Sequence, residues 1–137
     1  MSNRLLAVPL CALALCAVTL SGCGAARGPQ DAAVVAATHF AAAVSQHDGA
    51  AACGLLGEAP RTELEKSAGK PCAQAITGED LPGLGRIAKV ETWGEQAQVR
   101  GSSDTVFLSH LTGHWLVMAA GCTPRPGDPY DCIVTGG

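Results

Sequence analysis

The sequence predicts an α+β domain, with N-terminal helices packed on one face of a curved antiparallel meander sheet. Three observations carry this. Apolar residues between positions 31 and 76 recur at helical spacing, whereas from residue 86 onward they alternate with period two. Short turn signals, Gly94-Glu95, Ser102-Ser103 and Thr112-Gly113, divide the second half into even segments. Two-residue loops at these points also bring the apolar residues of all the segments onto one face.

Taken in order, Asp31 is placed to cap a first helix running to about His47, with Val34, Ala37, Phe40, Ala41 and Val44 on its apolar face. Asp48-Gly49 ends it and starts a second short helix through Leu56. Pro60 suits the first turn of a third helix that carries Leu64, and residues 72–76 add one more turn. GEDLPGLG then marks a loop. The expected strands are 86–93, 96–100, 105–111 and 114–120. Their register sets Thr92 opposite Ala97, Val90 opposite Val99, Val99 opposite Val106 and Leu108 opposite Val117. One face collects Ala88, Val90, Ala97, Val99, Val106, Leu108, Trp115, Val117 and Ala119. The other collects Lys89, Glu91, Gln96, Gln98 and Arg100. The apolar face needs a cover, and the helices are the available one.

The chain has 137 residues, consistent with a single domain at 31–137. Charged residues make up 15%, and nine Lys and Arg against twelve Asp and Glu are scattered without a basic stripe. Nucleic acid is therefore not an expected partner. With only five aromatics, the core must be built largely from Val, Leu and Ala.

Residues 1–4 are short and basic, and residues 5–20 form an uncharged run broken by Pro9. The run falls short of the roughly 20 apolar residues of a membrane span, so residues 1–22 read as a secretory signal. Its end, Leu20-Ser21-Gly22-Cys23, resembles the lipobox of bacterial lipoproteins. That resemblance implies a diacylglyceryl group on the Cys23 sulfur, cleavage before Cys23, and a location on the outer face of the bacterial cell membrane. Two acyl chains make such an anchor stable. Residues 23–30, CGAARGPQ, then read as a flexible tether.

With Cys11, Cys16 and Cys23 assigned to the signal and the anchor, Cys53, Cys72, Cys122 and Cys132 remain. An even number in a small exported domain reads as a disulfide framework with three possible connectivities. Cys53–Cys72 and Cys122–Cys132 are nearest in sequence, and each pair closes a segment rich in turn formers. The second pair encloses TPRPGDPYD, which reads as a stiff loop. The Cys spacing matches no zinc finger, and no metal or other cofactor is expected.

Helices followed by a meander, with a late Trp-Leu-Val strand, resemble the nuclear transport factor two-like (cystatin-like) superfamily. The phrases AAACGLL, KPCAQAI, VETWGEQAQVR, DTVFLSHLTGHWLVMAAGCTPRP and YDC also resemble small lipoproteins of high-GC actinobacteria. The superfamily resemblance implies a fold and no activity, since its members include enzymes, binding modules and structural domains.

His110 is the catalytic candidate, because the register sets it beside Trp115 on the core face at the open end of the sheet. An imidazole there resembles the proton acceptors of ketosteroid isomerase-like and polyketide cyclase-like proteins, although no Asp or Tyr can be placed next to it. His114 falls on the opposite face, and His39 and His47 read as structural. On the outer face Trp93, Phe107, Leu116 and Met118 interrupt the polar residues. They are candidates for a protein interface or self-association, unless Ile133 and Val134 fold back over them. The expected role is an extracytoplasmic binding or interaction module joined to the membrane through Cys23, with a filled core and at most a small opening near His110 and Trp115. A small-molecule isomerase or cyclase is the alternative, and it requires an open apolar cavity holding His110.

Overall fold

A computed structural model describes residues 28–137; Cys23, the signal segment and most of the tether lie outside the described residues. Four helices, α1 (Pro29–Ser45), α2 (Gly49–Gly54), α3 (Glu58–Ala68) and α4 (Cys72–Ile76), precede five strands. The strands are β1 (Ile87–Trp93), β2 (Gln96–Gly101), β3 (Thr105–Leu111), β4 (His114–Arg125) and β5 (Asp128–Thr135), paired in sequence order as one antiparallel sheet.

α1 begins at Pro29, two residues before the expected start. Pro29 needs no N–H donor in the first turn, and Asp31 lies within that turn, where its charge favours the helix N-terminus. The helix is closed by two bonds, from the His47 N–H to the Val44 carbonyl (3.0 Å) and from the Asp48 N–H to the Ala43 carbonyl (2.9 Å). His47 takes the left-handed conformation that this closure needs, with φ 55°. The innermost face of α1 is Ala33, Ala36, Ala37, Phe40 and Ala43, while Val34, Ala41 and Val44 sit at its margins. This rotates the expected stripe: the alanines let α1 approach the sheet closely, and the bulkier valines fill the sides.

Asp48 caps α2 by accepting from the Ala51 N–H at 3.0 Å. α2 packs on α4, with the Cys53–Cys72 disulfide between them. Gly49 permits the approach, since a Cβ there would collide with the Ala73 carbonyl. Between α2 and α3 the chain runs beside β4: the Val117 N–H donates to the Leu55 carbonyl (2.8 Å), and the Gly57 N–H donates to the Val117 carbonyl (2.9 Å). This segment covers the part of β4 that β5 does not reach.

The four expected strand pairings are all present: Thr92–Ala97, Val90–Val99, Val99–Val106 and Leu108–Val117. Two bulges alter the expected faces. One near Ala88 leaves that residue exposed, while Ile87 and Val90 pack against the core. The other follows Val117 and sets Ala119 opposite Phe107, so that Ala120 joins Val134 in the core. A single extra residue exchanges the faces of everything beyond it.

The fifth strand replaces the expected stiff loop. β4 continues to Arg125, the chain turns at Pro126-Gly127, and β5 returns with Cys132 opposite Cys122, joined as a disulfide. Prolines are tolerated because β5 is an edge strand and Pro124 falls within the register shift between Thr123 and Arg125. Beneath the sheet Phe40, Leu56, Ile76, Val99, Val106, Leu108, Val117 and Val134 are buried together and fill the space under the helices.

Candidate functional site

The core stops short of one end of the sheet. There the start of α1 (Gly28, Pro29, Ala32), the β1–β2 turn (Gly94, Glu95), His110 and Trp115 enclose an open hollow of about 370 Å³. It lies where the expected small opening was placed and is wider than expected, because Gly28, Pro29 and Ala32 present little side-chain volume toward it. The strand pairing explains who meets whom: Gln96 opposes Ser109, so the next positions outward, Glu95 and His110, are neighbours. The His110 N–H donates to the Glu95 carbonyl at 2.8 Å, and His110 Nδ1 lies 2.7 Å from Glu95 Oε2.

The expectation names no Asp or Tyr partner for His110, and the structure supplies a glutamate, Glu95. The signal was available, since extending the β2–β3 register by one pair reaches it. An ionised carboxylate only accepts, so Nδ1 carries the proton of this bond, and in a neutral ring Nε2 is left as an acceptor. The His110 ring also lies 5.2 Å from the Trp115 ring, tilted by 47°. His114 is exposed across the strand, opposite Leu111. His39 is exposed on α1.

The outer-face residues are dispersed. One row across the sheet reads Trp93, Gln96, Ser109, Leu116, so two polar residues separate the apolar pair, and Ser109 Oγ donates to Gln96 Oε1 at 3.1 Å. Three strand spacings put Trp93 and Leu116 about 14 Å apart. Phe107 is half-buried beneath Tyr130 of β5, whose ring meets it edge-on with centroids 5.0 Å apart. The Tyr130 hydroxyl in turn accepts from Gln98 Nε2 at 3.0 Å. Met118 lies with its sulfur against Gly57. From the C-terminal segment it is thus Tyr130 that covers this face, while Val134 enters the core and Ile133 stays exposed.

At the opposite end of the sheet, Asp104 is buried in the β2–β3 loop. Its carboxylate accepts from the N–H groups of Thr105 (2.6 Å), Cys122 (2.8 Å) and Gly121 (3.0 Å). Burial pushes its carboxyl above the ordinary 3.8, and the three backbone bonds pull against that rise. Nothing along the chain marks Asp104, because the donors it serves follow the bulge in β4. Among the described residues, no group of three or more His, Cys, Asp or Glu side chains is placed to hold a metal ion. No family model, curated protein or solved structure matches this chain.

Proposed function

We propose that this chain is an extracytoplasmic binding domain, held on the outer face of the membrane by lipid on Cys23, with the hollow at His110 and Trp115 as its ligand site. The observation that carries the reading is the composition of that hollow. An apolar floor of Trp115, Pro29 and Ala32 meets one convergent polar pair, Glu95 and His110, within about 370 Å³. Ligand sites combine apolar walls with a few placed polar groups, and this volume falls at the small end of their range. The chemistry fits a small molecule with a flat apolar part for Trp115 and a polar group for the imidazole. The likeness to the nuclear transport factor two-like superfamily, motivated by the order of helices before a meander, belongs to the same proposal.

The test is an NMR screen of small molecules from envelope extracts against the mature protein. Ligands are expected to shift the His110 and Trp115 signals and to lose affinity on His110→Ala, while Phe107→Glu leaves binding unchanged. Binders that move only signals around Phe107 and Leu116 would sink the reading. Intact mass is expected to show residues 1–22 removed and a diacylglyceryl group on Cys23.

A second reading, a proton-transfer enzyme of the isomerase or cyclase type, is favoured by one observation: Glu95 orients the His110 ring and leaves Nε2 as the base. It predicts that Glu95→Gln lowers turnover of a bound ligand more than its affinity, whereas the binding reading predicts no turnover at all.

A further inference from the structure

The described residues leave four large apolar side chains exposed, and two of them, Trp93 (54% exposed) and Leu111 (42%), stand at the same end of the sheet. Trp93 closes β1 at the Gly94-Glu95 turn, and Leu111 closes β3 at the Thr112-Gly113 turn. Both alternate with core residues, so both project on the outer face beside the rim of the hollow. This is also the end from which the chain leaves toward Cys23, since Gly28 and Pro29 line that hollow.

Only five residue steps separate Gly28 from Cys23, which span at most about 18 Å when fully extended. The strands themselves run about 23 Å for seven residues, so the opposite end of the sheet stands well away from an anchor at Cys23. A Trp at a membrane surface places its ring among the headgroups and its indole N–H toward water.

We propose that the strand-turn edge carrying Trp93 and Leu111 seats in the headgroup layer of the membrane that holds Cys23, which fixes the domain's orientation and turns the hollow toward the lipid surface. The seating rests on the Cys23 anchor. Charge does not drive it: this edge carries the exposed carboxylate of Glu95, and Lys89 pairs with Glu91 at 2.8 Å on the same face. Apolar insertion over a short tether carries it.

Hydroxyl-radical footprinting of the lipidated protein tests this. The protein is placed in phosphatidylethanolamine–phosphatidylglycerol vesicles and compared with a lipid-free mature chain carrying Cys23→Ala in the same vesicles. Ile133, 46% exposed on β5 away from this edge, is the internal reference. Labelling of Trp93 and Leu111 relative to Ile133 is expected to fall about fivefold in the lipidated protein. Unchanged ratios, with intact mass showing the diacylglyceryl group in place, overturn the seating and leave the anchor standing. A mass without the lipid overturns the anchor and the seating together.

Discussion

Asp104 offers the sharpest test of how this sheet is held, because one carboxylate closes three backbone donors from two strands. Replacing it with Asn keeps the shape and leaves Oδ1 accepting from Thr105 and Cys122. The amide NH₂ then faces the Gly121 N–H, so one bond is lost and two donors oppose each other. Hydrogen bonds to a charged group contribute about 1.5–3 kcal/mol each, so Asp104→Asn should cost about 2 kcal/mol. Asp104→Ala strips both acceptor oxygens, and the three bonds they receive would total about 6 kcal/mol. An open hollow lined by Arg100–Thr105 and Cys122–Pro124 lies alongside, through which water can reach the freed N–H groups. The expected loss for Ala is therefore nearer to about 3 kcal/mol. Urea unfolding without reductant, at constant m-value, reads both variants. Because burial raises the carboxyl above 3.8, the native state binds this proton more tightly than the unfolded chain does. The stability advantage of the wild type over Asp104→Asn should therefore widen as pH falls through the raised value toward 3.8, and shrink as pH rises back through that window. An Asn variant within about 0.5 kcal/mol of wild type, or a gap that narrows on acidification, would show that this carboxylate does not hold the two strands together.

Leu108→Ala, at the centre of the filled core, should cost about 2–5 kcal/mol, while half-exposed His110→Ala should cost about 1 kcal/mol or less by the same assay. Thr112 holds a left-handed conformation (φ 48°) beside Gly113 (φ 82°) in a turn that favours Asn at its first position. Thr112→Asn should therefore raise stability by about 1 kcal/mol, measured as a higher unfolding midpoint. Replacing Cys53 and Cys72 together by Ser should cost slightly more than replacing Cys122 and Cys132, at about 3.2 against 2.7 kcal/mol on the loop-entropy relation, because the first bridge closes 19 residues and the second 10. The reverse order in paired denaturation curves would assign the larger role to the β4–β5 hairpin.

Much of the fold is legible in the residues, and the misses have specific causes. Alternation is reliable where every second side chain is apolar and a two-residue turn pins the count, which is why Val90–Val99 and Leu108–Val117 can be paired on paper. β5 hid behind Pro124, Pro126 and Pro129. Yet Tyr130, Cys132 and Val134 alternate after a Pro-Gly turn, and an edge position removes the objection to proline. Along the chain Glu95 reads only as a turn residue. Its role comes from standing one pair beyond Gln96–Ser109, a relation between strands rather than along one.

Spacing along the chain establishes four helices before four of the five strands, the central pairings of those strands, and a preference for the two nearest-neighbour disulfides, because periodicity, turn chemistry and loop length all act over a few residues. The rest came with the tertiary packing. It placed the bulge that sends Ala120 inward in place of Ala119, the alanine face on which α1 closes, Tyr130 over Phe107, and the hollow at the start of α1. Each of these depends on how much volume meets across a contact between distant segments, and no spacing along the chain encodes that volume.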